Sequence, residues 1–302
     1  MRDVFIFTDC DLDGTGSYLI FKWFLKKDIP YKVTRHADFK ETFSAWYEKN
    51  GSKYEQVYVL DMDVSDYADV VDHENVTIID HHKTHVKNKH VYTKAKCLVK
   101  TYSSCTKLVY NILRKSFKTT ELTDSQKLII LYIDDYDCYE LKHEPSYCLN
   151  VLFWNYQGDR LDKFISNFGT GFRPFTDQEN KIIQYYKNKF KTIINDLHIH
   201  VAVDVSIQKT KCKLVSVFAS ECINEVADHI IKNYKADIGF VVNLQTKHVS
   251  IRKSSKCNVD LGVLAEKLMD GGGHQDAAGG SLTDNFLAFS KIFKPLKIKI
   301  GK

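Results

Sequence analysis

Apolar and polar positions divide the first half of the chain into short apolar runs, each followed by a longer segment with helical periodicity. Val4-Phe5-Ile6-Phe7 is the first run, and Tyr18 to Leu25 carry the apolar side of the helix that follows. Runs at 31–35, 56–60 and 76–79 repeat this arrangement. Buried parallel strands are continuous apolar runs that crossover helices connect, so the pattern predicts an α/β domain with a parallel sheet.

The middle of the chain is predicted to be helical. Apolar positions at helical spacing predict helices over 103–117 and 124–133, and Thr176 is placed to cap a long charged helix over 177–197. The aromatic-rich stretch 145–176 has no assigned elements. These features place a first domain at residues 1–175 and a connector helix at residues 176–198.

A second, smaller α/β domain is predicted at residues 199–302. Its apolar runs predict strands, and two amphipathic segments lie between them. The predicted strands are 200–205, 213–218, 238–244 and 249–252, and the predicted helices are 221–233 and 260–269.

Composition adds bounds on the class of protein. The 302 residues include 44% apolar residues and carry a net charge of +5, which is ordinary for a globular chain and suits an anionic substrate. The eight cysteines form no C-x-x-C pair, and no leader or long apolar span precedes them. We therefore expect a reducing, cytoplasmic setting with no membrane and no obligate protein partner.

Acidic residues and histidines follow three of the predicted strands. Asp9-Cys10-Asp11-Leu12-Asp13-Gly14 follows the first, Asp61 follows the run at 56–60, and Asp80-His81-His82 ends the run at 76–79. The carboxyl ends of parallel strands meet at one edge, where α/β proteins bind ligands. Three aspartates in alternation repel one another strongly unless a cation lies between them.

The turn at Asp9–Gly14 admits three interpretations. An EF-hand calcium loop is rejected because Ile20 occupies the twelfth loop position and a strand replaces the entering helix. A phosphatase nucleophile at Asp11 accounts for the turn, but it leaves His81 and His82 without a role. A divalent-metal cluster accounts for both segments.

Two further segments point to charged ligands. The apolar helix 124–133 runs directly into Asp134-Asp135-Tyr136-Asp137, and negative charge at a helix carboxyl end is unfavourable without a cation. In the second domain, Gly271-Gly272-Gly273-His274 offers bare backbone N–H groups to an anion, and Arg252 offers a bidentate guanidinium.

Together these segments resemble the motifs of the DHH phosphoesterase superfamily, in the branch with a DHHA-type carboxyl-terminal domain. That branch includes RecJ exonucleases, nanoRNases, pAp phosphatases and cyclic-dinucleotide phosphodiesterases. The resemblance covers nearly the whole chain, in the order Asp9–Gly14, Asp61, Asp80–His82, the acids after Ile133, Arg252 and the glycine-rich loop.

The resemblance implies two divalent ions, Mn²⁺ with Mg²⁺ as the alternative, and an active site in the cleft between an amino-terminal DHH domain and the DHHA-type domain. Asp61 would bridge the ions, and one acid of the pair Asp134-Asp135 would complete the set; we take Asp135. His82 would contact the scissile phosphate. The implied metal ligands are Asp9, Asp11, Asp13, Asp61, His81 and Asp135; the catalytic residues are His81, His82 and Asp61; and the substrate contacts are His82, Arg252, Gly272, Gly273 and His274.

The resemblance leaves three functions open. The leading expectation is an exonuclease that hydrolyses short oligonucleotides to mononucleotides by a two-metal mechanism. The alternative is a small-nucleotide phosphoesterase that acts on pAp or on a linear or cyclic dinucleotide. A third possibility is a nucleotide-binding module without catalysis, which the intact acids in all four motifs argue against.

Overall fold

The computed structural model describes residues 3–273 and 275–296. The chain divides into two compact units, Met1–Ile183 and Gln184–Lys302. The first contains a parallel five-stranded sheet and the second a mixed seven-stranded sheet. The predicted α/β fold class, with a parallel sheet followed by a smaller α/β region, is therefore confirmed.

The first unit is built on a sheet in the order β2-β1-β3-β4-β5, in which every neighbouring pair is parallel. Crossover connections between these strands carry helices, as parallel pairing requires. The strands are β1 (Val4–Thr8), β2 (Tyr31–Val33), β3 (Gln56–Leu60), β4 (Val76–Asp80) and β5 (Lys96–Val99). The helices are α1 (Leu12–Leu25), α2 (His36–Asn50), α3 (Ala68–Val71), α4 (Lys83–Asn88), α5 (Cys105–Ser116), α6 (Asp124–Asp137), α7 (Glu144–Asn155) and α8 (Arg160–Phe168).

Two apolar layers cover this sheet. One face carries Ile6, Leu60 and Ile79 and packs against α1, α5 and α6. The other face carries Phe5 and Phe7 and packs against α2. Because β1, β3 and β4 are buried on both faces, their sequences are continuous apolar runs rather than alternating ones.

The sequence missed some elements of this unit. The short edge strand β5 was not predicted, because its exposed Lys96 and flanking lysines interrupt the apolar run. The unassigned stretch 145–176 forms most of α7 and all of α8. Phe153, Phe164 and Phe168 from these helices are buried in the same layer as α1, which accounts for the aromatic content of the stretch.

The helix α9 (Asp177–Asn195) passes from the first unit to the second. In the second unit the sheet order is β10-β11-β9-β8-β7-β6-β12, and only β7 and β8 are parallel neighbours. Among the described residues, no helix is both long and apolar enough to cross a membrane. The elements are β6 (His200–Ile207), β7 (Thr210–Phe218), α10 (Ile223–Tyr234), β8 (Ile238–Asn243), β9 (His248–Lys253), α11 (Leu261–Met269), β10 (Gly272–Gly273), β11 (Ala277–Ser281), α12 (Asp284–Ser290) and β12 (Lys294–Pro295).

Candidate metal centre

The carboxyl ends of β1, β3 and β4 meet at one edge of the parallel sheet. The backbone N–H of Asp9 donates to Leu60 O (3.3 Å), and that of Asp61 donates to Ile79 O (3.0 Å). Asp61 has a φ of 62°, in the left-handed region that a non-glycine residue rarely adopts. Such strained backbone is concentrated at functional sites, and here it coincides with a buried carboxylate at the sheet edge.

The turn after β1 is held in a compact form by its own side chains. Asp11 caps α1, since its Oδ1 accepts from the N–H of Gly14 (2.8 Å), and the Thr8 hydroxyl donates to Gly14 O (2.7 Å). A Cβ on Gly14 would lie 2.6 Å from Asp9 O, so only glycine fits here. The turn thus places Asp9 and Asp11 at the same sheet edge as Asp61.

Asp13 connects α1 to the amino end of α5. Its two oxygens accept from the backbone N–H groups of Cys105 (2.6 Å) and Thr106 (2.8 Å). A carboxylate is favourable there because a helix amino end carries a partial positive charge. Asp13 is only 2% exposed, and these bonds fix its position beside the other acids.

The His81 imidazole lies among three carboxylates. Its Nε2 is 3.3 Å from Asp61 Oδ1, 3.6 Å from Asp137 Oδ2 and 3.8 Å from Asp13 Oδ2. His81 belongs to two groups of three possible metal ligands, and in each group the ligand atoms lie within 4.8 Å of one another. The first group is Asp61, His81 and His82, and the second is Asp13, His81 and Asp137. We refer to Asp9, Asp11, Asp13, Asp61 and Asp137 as the acid cluster.

The acid cluster is short of hydrogen-bond donors. Among the described residues, neither Asp61 Oδ1 nor Asp137 Oδ2 has a hydrogen-bond partner, although both atoms are buried. Burial, reinforced by neighbouring carboxylates, raises the pKa of Asp11 and raises those of Asp61 and Asp137 well above their usual range. Buried acceptors without donors, next to an imidazole, form a donor set that fits divalent cations such as Mn²⁺.

Asp9 lies at the more open side of the cluster and responds to the same forces. Burial and the neighbouring Asp11 carboxylate raise its pKa to about 7, although its Oδ1 accepts from the N–H of Cys10 (2.7 Å). His82 also lies close enough to Asp9 to act on this pKa in the opposite direction. Asp9, in the turn after β1, therefore lies near both Asp11 and His82.

A separate chain of hydrogen bonds, the Asp80 network, fixes His82. Asp80 is fully buried; its Oδ1 is 2.6 Å from His82 Nδ1, and its Oδ2 is 2.7 Å from His85 Nδ1. His85 Nε2 lies 2.8 Å from the hydroxyl of Tyr92. Burial alone would raise the pKa of Asp80, but the two imidazoles hold it well below its usual range. Through these contacts Asp80 orients the imidazoles of His82 and His85.

The structure does not bring Asp135 to the acid cluster. Its oxygens accept from the backbone N–H groups of Lys142 (2.9 Å) and His143 (3.0 Å) and from the Ser146 hydroxyl (2.6 Å). Asp134, the other member of the pair, accepts from the N–H of Ser104 (2.9 Å). Both carboxylates therefore stabilise neighbouring backbone, and the fourth-segment acid in the cluster is instead Asp137.

The helical period accounts for this difference. Asp137 lies three residues after Asp134 and hence on the same side of α6, while Asp135 lies about 100° away around the helix. Asp134 contacts the amino end of α5, which also holds Asp13, so this side of α6 faces the cluster. The third acid of the run was visible in the sequence, but the side of α6 that faces α5 was not. The predicted site residues that the structure does gather here are Asp9, Asp11, Asp13, Asp61, His81 and His82.

Three predicted substrate contacts of the second unit, Arg252, Gly272 and Gly273, lie in strands β9 and β10, which both pair with β11 between them. The Arg252 guanidinium donates to Asn224 Oδ1 (2.8 Å), and Arg252 pairs with Ala277 at the start of β11. Gly272 and Gly273 form the exposed strand β10 beside β11, and Gly273 has a φ of 138° that favours glycine. His274, between these strands, lies outside the described residues.

Comparisons with known proteins match both units. The DHH family, N-terminal domain, matches residues 3–133, and the DHHA1 domain matches residues 214–296. No curated protein matches the chain.

Several solved structures share the fold. A pGpG-specific phosphodiesterase from Vibrio cholerae is 14% identical, with 96% of this chain and 98% of that one covered and a TM-score of 0.57. An exopolyphosphatase-related protein from Bacteroides fragilis is 14% identical, with 96% and 92% covered and a TM-score of 0.56. Exonuclease RecJ bound to manganese is 12% identical, with 96% and 89% covered and a TM-score of 0.55. With the DHH and DHHA1 matches in this order along one α/β chain, the protein belongs to the DHH superfamily of phosphoesterases.

Proposed function

We propose that this phosphoesterase hydrolyses short oligonucleotides to mononucleotides, as an exonuclease that depends on two divalent cations, Mn²⁺ in preference to Mg²⁺. The observation that carries the proposal is the pair of ligand groups that share His81, with buried, donor-free oxygens on Asp61 and Asp137. The RecJ structure of similar fold contains manganese, which supports the choice of ion.

The residues that would hold the cations are those of the acid cluster together with His81. Asp137 replaces Asp135 in the proposed set, because the oxygens of Asp135 already accept three hydrogen bonds. When bound, paired cations supply a nucleophilic hydroxide at neutral pH and stabilise charge on the phosphoryl oxygens.

His82 is proposed to hold the scissile phosphate. Its Nδ1 lies 2.6 Å from Asp80 Oδ1, which fixes the ring beside the first group of possible metal ligands. Burial alone would lower the pKa of His82, but the Asp80 carboxylate raises it, and this favours the imidazolium form. In that form Nε2 donates a charge-assisted hydrogen bond to a phosphate oxygen.

The second unit is proposed to bind a further phosphate through Arg252 and the loop that contains Gly272, Gly273 and His274. Arg252→Ala should raise the KM for a five-nucleotide substrate roughly tenfold or more and leave the affinity for Mn²⁺ unchanged. Arg114→Ala, at the exposed carboxyl end of α5, is the matched control. An unchanged KM in the Arg252 variant would remove Arg252 from the substrate site.

One assay of substrates tests the proposed activity. Purified protein with Mn²⁺ is given pAp, a dinucleotide, a five-mer and a long single strand, and the specificity constants are compared. We expect the five-mer and the dinucleotide to react fastest, with release of mononucleotides. A preference for pAp or a cyclic dinucleotide by more than tenfold would favour the small-nucleotide alternative, and no hydrolysis of any substrate would favour a silent binding module.

The cellular setting is also a proposal. All eight cysteines are free thiols, which supports a reducing, cytoplasmic environment.

A further inference from the structure

Positive charge is concentrated in one part of the chain. Residues 81–120, which begin inside the Asp-His-His segment, contain ten lysines and arginines and no aspartate or glutamate. The remaining residues have 33 of the 43 cations against all 38 acids. The small net charge of +5 therefore conceals a strongly basic segment in an otherwise acidic chain.

The structure brings part of this segment to the acid cluster. Asp80 pairs with Val99 across β4 and β5, and the N–H of Lys100 donates to Asp80 O (3.2 Å). Four residues later, the N–H of Ser104 donates to Asp134, and the next residue, Cys105, donates to Asp13. The loop 100–104 is thus bonded at both ends to acids at the catalytic edge of the sheet.

Lys100, Thr101 and Tyr102 in this loop are exposed, as is Lys83 after β4, while Ser103 and Ser104 are buried. Lys100 directly follows β5 at the catalytic edge, and Lys83 begins α4 immediately after His82. Tyr102, between the two anchored ends of the loop, is 66% exposed, which is high for an aromatic residue beside an active site. We name Lys83, Lys100 and Tyr102 the basic surface.

Protection of an edge strand explains only part of the charge. β5 is at the edge of its sheet, and exposed lysines on an edge strand such as Lys96 discourage pairing with another chain. Lys83, Lys100 and Tyr102 lie outside β5 and do not protect its edge. Two exposed cations and an exposed aromatic ring thus lie next to the site that is proposed to hydrolyse phosphoesters.

We propose that the basic surface binds the part of a single-stranded oligonucleotide that extends beyond the nucleotide being removed. The inference rests on the proposed function and specifies its substrate class: a single-stranded nucleic acid that extends beyond the nucleotide being removed. Lys83 and Lys100 contact phosphates, and the ring of Tyr102 stacks on a base. The exposed ring favours nucleic acid over inorganic polyphosphate, which has no base to stack.

Binding without hydrolysis tests this proposal. The probe is a fluorescein-labelled single-stranded ten-mer with phosphorothioate linkages, and its anisotropy is measured with the full-length protein in EDTA. Lys83→Gln with Lys100→Gln should raise the Kd about tenfold and reduce the slope of log affinity against log salt by about 1.4, since two phosphate contacts are lost. Tyr102→Ala should raise the Kd roughly tenfold, and Tyr102→Phe, which keeps the ring, should restore it.

The matched control is Lys115→Gln with Lys118→Gln, which removes the same charge near the other end of α5. That end is about 17 Å away, since α5 has 12 residues. The Kd of this control variant for the ten-mer should stay within twofold of the wild-type value. The proposal is overturned if the control variant loses as much affinity as the Lys83 and Lys100 variant, or if the Kd is unchanged in both. It is also overturned if inorganic polyphosphate competes equally well and Tyr102→Ala has no effect on the Kd.

The proposal and the catalytic function fail in different ways. If the wild-type protein hydrolyses the five-mer but Lys83, Lys100 and Tyr102 variants bind the ten-mer normally, only the basic surface is wrong. If these variants lose ten-mer binding while the wild type hydrolyses no oligonucleotide, the surface is retained and the proposed activity is wrong.

Discussion

The acid cluster and the Asp80 network lie at the same edge of the same sheet, yet they have opposite electrostatics. In the acid cluster, burial and repulsion raise the pKa values of Asp61 and Asp137 well above the usual range. In the Asp80 network, an even less exposed carboxylate keeps a pKa well below the usual range, because two imidazoles are bonded to it.

This difference separates structural acids from proposed metal ligands. The charge of Asp80 is balanced by groups of the chain itself, so its folded position needs no added ion. The charges of Asp61 and Asp137 have no such partner among the described residues apart from His81, and the buried Asp61 Oδ1 and Asp137 Oδ2 accept no hydrogen bond there. Low exposure alone does not identify a metal ligand; burial without donors does.

The strongest test replaces a cluster acid by its amide. Asp61→Asn should lower kcat/KM for a five-mer with Mn²⁺ by about a thousandfold or more, because a metal ligand is lost. Its melting temperature in EDTA should be equal to or above that of wild type, since the substitution removes a buried charge that is unfavourable without metal.

Asp135→Asn is the control for this comparison, because Asp135 lies on the same helix as Asp137 but accepts three hydrogen bonds. It should keep activity within about tenfold and should lower stability by about 1–3 kcal/mol, since an amide cannot accept all three bonds. Loss of activity in Asp135→Asn without loss of stability would restore Asp135 as the ligand in place of Asp137.

Metal binding itself should stabilise the protein. Mn²⁺ at a hundred times its Kd should add about 2.7 kcal/mol to the free energy of unfolding, which corresponds to a rise of roughly 5–10 °C in Tm. Asp137→Asn should remove most of this rise, and Asp135→Asn should keep it. Differential scanning fluorimetry with and without Mn²⁺ measures both, and an equal rise in the two variants contradicts the proposed ligand set.

His85 tests the other side of the comparison. His85→Leu should lower kcat about 10- to 100-fold with little change in KM, because Asp80 then orients His82 less well. His85→Asn, which retains a donor for Asp80, should recover most of this loss. If the asparagine variant is as slow as the leucine variant at equal Tm, the Asp80 network does not position His82.

The same pair predicts a dependence of stability on pH. Burial alone would lower the pKa of His85, but the bond to Asp80 and nearby groups raise it to about 10 from an ordinary 6.5. A raised histidine pKa contributes stability that is complete below pH 6.5 and is lost as pH rises towards 10. The difference in unfolding free energy between wild type and His85→Asn should shrink over this range by up to about 1 kcal/mol per pH unit. Urea unfolding of both proteins at several pH values measures this difference in unfolding free energy. If the difference does not change with pH, His85 is not charged in the folded protein.

The sequence supported the fold class because β1, β3 and β4 are buried on both faces, and such strands are recognisable as apolar runs. It also placed Asp9, Asp61 and His81 at one edge, since the carboxyl ends of parallel strands must meet there. The edge strand β5 escaped detection because only part of it is buried, so packing imposes no continuous apolar run on it.

By itself, then, the sequence determined the two α/β regions, the order of the motifs and the acids and histidines available at the first sheet edge. Only the tertiary structure decided which acid of Asp134, Asp135 and Asp137 joins the cluster, because the rotation of α6 depends on its packing against α5. It also decided that His85 supports Asp80, and that a loop between two anchored ends exposes Tyr102 beside the site. Some of these contacts are between residues far apart in the chain, and others depend on how far a helix is rotated about its axis. Neither property produces a recognisable pattern in the local sequence.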